Sequence, residues 1–143
     1  MRVKTALAMF VLTIAVSLMP VSAHHSVPAV FDINKEITIQ GVVTQTEWRN
    51  PHTRVWMDAR NNDGTISNWE LELAPPNALK RSFGSDFIKA GDQVTVILWQ
   101  AKDGSRLGNA LRLTVPDGRV FQFSRDTRGN WQALASPRPE NRR

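Results

Sequence analysis

From Ile37 onward the apolar residues of this chain alternate with polar ones, and that period of two gives way to another only between Pro75 and Gly84. Alternation is the mark of a strand with one buried face. A chain ruled by it cannot form a helical bundle or a parallel sheet layered with helices. In the first strand Ile37, Ile39, Gly41 and Val43 share one face, Thr38, Gln40, Val42 and Thr44 the other, and the strand runs to Trp48. Gly41 in mid-strand predicts a bend or bulge, which lets one strand serve two sheets. Arg49-Asn50-Pro51-His52 is a turn, because Pro51 pushes Asn50 out of the helical region. Arg54–Arg60 follows, with Val55, Met57 and Ala59 inward and Arg54, Trp56 and Asp58 outward. Asn61-Asn62-Asp63-Gly64 is a hairpin signal. Ser67–Leu73 then sets Trp69, Leu71 and Leu73 against Glu70 and Glu72.

The interruption has prolines at its start, helix formers within it and Gly84 at its end, which predicts one short helix over 76–83. Leu79 and Phe83, four apart, would share its buried face. Alternation resumes over Val94–Trp99, Ala110–Val115 and Arg119–Ser124, separated by Asp103-Gly104 and Asp117-Gly118. Three strands, a short helix and further strands give a mainly all-β fold. The expected form is a small OB-like Greek-key β-barrel with the helix between strands three and four, where an OB-fold has one. A β-sandwich or an open meander is the competing arrangement.

Before this domain, Arg2 and Lys4 precede an apolar run from Ala6 to Leu18, broken by Pro20 and followed by Val21-Ser22-Ala23. This is the layout of a secretory signal peptide, and the run is too short for a spanning helix. Cleavage after Ala23 is expected, with delivery to the periplasm or outside the cell and no stable membrane anchor afterwards. The chain divides into a signal peptide (1–23), an extended lead-in (24–35), the barrel (36–124) and a loose basic tail (125–143).

The 18 Lys and Arg against 13 Asp and Glu would ordinarily point to an anionic partner. Here the excess is terminal: residues 24–124 hold 11 bases and 11 acids, and the tail alone carries a net +3. The neutral body argues against nucleic acid, whose affinity rests on phosphate contacts. With no cysteine the chain has no disulfide framework, thiolate metal site or cysteine nucleophile.

Several short segments occur in a fixed order: His24-His25-Ser26, Gly41-Val42-Val43-Thr44, Glu47-Trp48-Arg49-Asn50-Pro51-His52, Trp69-Glu70-Leu71-Glu72-Leu73, Pro76-Asn77-Ala78-Leu79, Gly91-Asp92-Gln93-Val94-Thr95-Val96, Ala101-Lys102-Asp103-Gly104-Ser105 and Pro116-Asp117-Gly118-Arg119. Together they resemble a family of small exported bacterial proteins known as a domain of unknown function. The resemblance covers about residues 22–120, implies export and an OB-like β domain, and transfers no catalytic residue.

The candidate site residues come from side-chain chemistry. Cleavage after Ala23 would leave His24 with a free amine beside its imidazole, a pair that chelates copper. His25 and His52 are the other imidazoles, so Cu(II) or Zn(II) is the candidate ion. Glu47 or Glu72 could add a carboxylate. The plainer alternative is that His24 and His25 fray and His52 packs beside Trp48. Of the five tryptophans, Trp69 fits the core, while Trp48, Trp56 and Trp99 could form a stacking platform or simply pack. Glu70 and Glu72, facing Arg54 and Arg60, read as a cross-strand charge ladder more readily than as a hydrolytic pair. No catalytic constellation stands out, so the expected role is a non-enzymatic binding or accessory module. Its partner would be a periplasmic protein, a peptide, a glycan or a metal ion.

Overall fold

The computed structural model of the chain describes residues 26–125 and 131–136. The signal segment, His24, His25 and the proline–arginine stretch after Ser136 lie outside the described residues. The protein is mainly β. Its strands are β1 (Phe31–Trp48), β2 (Thr53–Arg60), β3 (Ile66–Glu72), β4 (Gln93–Ala101), β5 (Leu107–Thr114), β6 (Val120–Arg125) and β7 (Trp131–Ser136). Its helices are α1 (Val27–Val30) and α2 (Pro76–Phe83).

The strands lie in the order β3-β2-β1-β4-β5-β6-β7, and β3 also pairs with β5. That extra pairing closes β1, β2, β3, β5 and β4 into a ring. It is parallel and short, matching Glu70, Leu71 and Glu72 with Leu107, Gly108 and Asn109, and the Glu70 amide donates to the Arg106 carbonyl at 2.9 Å. β5 is thus divided: its first residues hold β3, and Arg112–Thr114 hold β6. β1 is divided too. Residues from Glu36 to Val42 pair with β4, and those from Gly41 to Trp48 pair with β2. Gly41 faces both Ala59 and Val94, and a Cβ there would run into the Asp58 carbonyl. Gly41 is therefore a place where only glycine lets two neighbours approach one strand, while the register shifts of β1 fall between Val43 and Gln45 and between Phe31 and Glu36.

Inside the ring Val43, Val55, Met57, Leu71, Val96, Leu98 and Leu113 are almost fully buried, as alternation predicts. α2 adds Leu79 to this core. Its Phe83 ring meets Phe87 and Phe121 at centroid distances of 5.1 and 4.7 Å. Pro75 and Pro76 start the helix and Gly84, at φ 81°, ends it, so the proline-first, glycine-last reading holds.

Three hairpins share one device. In Asp63-Gly64-Thr65, Asp103-Gly104-Ser105 and Asp117-Gly118-Arg119 the carboxylate accepts the amide two residues on, at 2.9, 2.9 and 3.0 Å. The intervening glycines take φ of 84°, 79° and 82°, a left-handed conformation that residues with a Cβ avoid.

Two expectations need correction. The lead-in is not extended throughout: Val27–Val30 makes one helical turn, favoured by Pro28 in its first positions. β1 then begins at Phe31, which is buried and pairs with Ala101. Nor is all of the tail loose. Trp131–Ser136 forms β7, paired antiparallel with β6 over Val120–Arg125. A strand there covers an edge of β6 that would otherwise present unpaired amides and carbonyls.

Candidate functional site

Register carries one row of side chains around the ring, exposed or half-buried except at Asn109, which is buried. Glu36 lies opposite Trp99, Trp99 opposite Asn109, Asn109 opposite Glu72, Glu72 opposite Arg54, and Arg54 opposite Glu47. The next row holds Leu107, Glu70, Trp56 and Gln45. Across β2, β3, β5 and β4 these two rows form a patch with two glutamates, Glu70 and Glu72, and one arginine, and on β1 they continue into Glu36 and Glu47. Arg54 bridges Glu70 at 3.1 Å, a diagonal contact, while Arg60 lies opposite Ile66. The proposed ladder is therefore half present: Arg54 belongs to it and Arg60 does not.

Trp56 and Trp99 stand at the two sides of this patch, both half-buried. Three inter-strand steps separate them, roughly 14 Å at about 4.8 Å per step. The Trp99 indole N–H and the Asn109 amide nitrogen are buried and have no hydrogen-bond partner among the described residues. Each such donor costs about 1–3 kcal/mol, and the two sit in facing positions beneath the patch. Trp48 is not on the patch. Its ring meets Phe87 edge-on at 5.8 Å, packs against the core and lies under the Lys80 ammonium at 5.6 Å. The expected platform of three tryptophans reduces to two.

His52 sits half-buried in the turn between β1 and β2, after a cis Asn50–Pro51 bond. Its Nδ1–H donates to the Leu73 carbonyl at 3.2 Å. That bond puts the ring proton on Nδ1. Among the described residues no three His, Asp or Glu side chains gather at a metal-binding spacing. Glu47 and Glu72 lie in the outer row on either side of Arg54, but Glu47 pairs with Arg49 at 3.9 Å and Arg54 with Glu70.

A feature that single-residue reasoning missed lies where β1 passes from β4 to β2. An open cleft of about 450 Å³ is lined by Gln40, Val42, Arg60, Gln93, Thr95 and Thr114, with Gly41 and Pro116 among its other walls. Its one signal in the sequence is Gly41, read as a bend but not as the floor of a cavity.

A family model described as a family of unknown function (DUF6152) matches residues 11–110. No curated protein and no solved structure matches the chain.

Proposed function

The chain belongs to DUF6152, a family of unknown function, and on that premise we propose that it is an exported, non-enzymatic binding or accessory module on an OB-like Greek-key barrel. The ring order β1-β2-β3-β5-β4, with α2 between β3 and β4, supports the OB-like reading. The positive start, short apolar run and small residues before His24 support export.

The observation that carries the binding role is the outer patch. Two half-buried indoles flank Glu70 and Glu72, Glu36 lies just beyond Trp99, and buried donors at Trp99 and Asn109 have no partner among the described residues. Indoles supply flat apolar area, and carboxylates accept hydroxyl or ammonium hydrogens. Such a surface favours a glycan or a neutral-to-basic peptide or protein segment and repels phosphate backbones.

A second reading is favoured by the His52–Leu73 bond: Cu(II) or Zn(II) held by the His24 amine and imidazole together with His52 Nε2. One set of titrations separates the readings, using tag-free protein that begins at His24. If the patch binds, neutral oligosaccharides or basic peptides quench tryptophan fluorescence. Trp56→Ala or Trp99→Ala then weakens binding about tenfold or more, since an aromatic stack contributes about 1–3 kcal/mol, and Trp48→Phe does not. If the metal site exists, Cu(II) binds more tightly than to a His-His-Ser peptide, and His52→Ala removes the gain. Titrations indifferent to Trp56 and Trp99 would overturn the first reading; indifference to His52 would overturn the second.

A further inference from the structure

The cleft where β1 passes from β4 to β2 differs in chemistry from the patch. Arg60 is the one charged residue among its walls, and no carboxylate lines it. The guanidinium makes a long hydrogen bond, 3.4 Å, to the Gly64 carbonyl. It enters none of the ion pairs among the described residues, which join Arg49–Glu47, Arg54–Glu70, Lys89–Asp92 and Arg119–Asp117. The adjacent Asp58 carboxylate is already engaged by the Asn68 amide. Arg60 therefore stands beside the cleft with no ion pair to any described carboxylate.

The other polar walls are amides and hydroxyls: Gln40, Gln93, Thr95 and Thr114. Each can both donate and accept. Val42, still 38% exposed, and Pro116 give an apolar side. One guanidinium fork, four two-way hydrogen-bonding groups and a small apolar wall match one kind of ligand well. It carries a single carboxylate flanked by hydroxyls on a compact carbon frame. A volume of about 450 Å³ falls within the roughly 300–1,000 Å³ typical of small-molecule sites.

The walls are also well fixed. Gln40, Gly41 and Val42 belong to the part of β1 that pairs with β4, and Gly41 and Val42 pair with β2 as well. Thr95 lies opposite both Gln40 and Thr114, so these three side chains form one row across β1, β4 and β5. A site on paired strands is pre-organised, which lowers the entropy lost on binding.

We infer that the β1 cleft is a binding site for a hydroxylated monocarboxylate, a sugar acid in chemical class, with Arg60 taking the carboxylate and Gln40, Thr95 and Thr114 taking hydroxyls. This goes beyond the patch proposal and stands without it. The test is a ¹H–¹⁵N NMR titration of the full exported chain at neutral pH with sodium galacturonate, galactose and sodium acetate in parallel. Galacturonate should shift the Gln40, Val42, Thr95 and Thr114 amides saturably. Galactose and acetate should each bind at least about tenfold more weakly, because each presents half of the recognised chemistry. Arg60→Gln, an exposed position whose spectrum reports directly on folding, should bring galacturonate down to the affinity of galactose. Arg60→Lys should fall between, since an ammonium lacks the two-pronged donor geometry. Trp56→Ala should leave all these values unchanged, so failure of the patch reading and failure of this one remain distinguishable. Equal affinities for galacturonate and galactose, an unaltered Arg60→Gln titration, or shifts mapping elsewhere on the surface would each overturn the inference.

Discussion

At residue scale the hairpin aspartates show how a local pair of side chains sets a turn. The Thr65 hydroxyl and amide both donate to Asp63 Oδ1, at 2.6 and 2.9 Å, and they favour the ionised carboxylate. The Asp63 pKa is accordingly lowered from 3.8, with the Thr65 hydroxyl the largest cause. Asp103 is lowered in the same way by the Ser105 side chain and amide. A lowered folded-state pKa means these contacts act in full above the unfolded value and are lost as pH falls through the folded one. A carboxyl ¹³C titration should therefore place the Asp63 midpoint below 3.8, and Thr65→Val should move it back up. An unchanged midpoint in the variant would show that the hydroxyl is not the cause. These turns were legible in the sequence because Asp, Gly and the hydrogen-bonding residue are consecutive. The cleft was not, because Gln40, Thr95 and Thr114 come from three strands and each is unremarkable alone. The two candidate indoles were legible only in part: alternation placed Trp56 outward, but Trp48 follows a register shift between Val43 and Gln45, which turns it toward Phe87.

At the scale of elements, α2 is the piece that differs most from its surroundings and was read most directly. Its prolines, its glycine and the four-residue spacing of Leu79 and Phe83 are all local signals. Leu79 is fully buried and joins the ring's core. Leu79→Ala should cost about 2–5 kcal/mol of unfolding free energy, the range for truncating a large buried aliphatic residue, measurable by urea denaturation. A loss below about 1 kcal/mol would mean that the helix lies on the ring without sealing it. Two strand segments escaped notice for opposite reasons. Leu107-Gly108-Asn109 has no alternation to reveal it, and Gly108 is tolerated because a Cβ there would crowd Leu98 and Leu71. Trp131–Ser136 does alternate, but its neighbours are arginines, prolines and glycine, and that composition outweighed the pattern.

Across the whole molecule, charge and topology are arranged separately. The outer patch is acidic, the β1 cleft holds a lone guanidinium, and the net positive charge of the sequence is terminal. The strand order gives a test of where the domain stops. Removing residues from 126 onward strips β7 from β6 and should lower Tm by about 5 °C or more, the shift for roughly 1 kcal/mol in a domain this size. Removing only residues after Ser136 should leave Tm nearly unchanged; a comparable loss in that shorter deletion would extend the folded unit to the chain end. The parallel β3–β5 pair also imposes a schedule. The ring cannot close until Leu107–Asn109 arrive, although β1, β2 and β3 can pair as soon as Glu72 is free. Between those two moments β3 keeps one side bare, a template for joining a neighbouring chain. A protein emerging from its N-terminus therefore passes through a vulnerable interval whose length is set by the time taken to deliver residues 73–109.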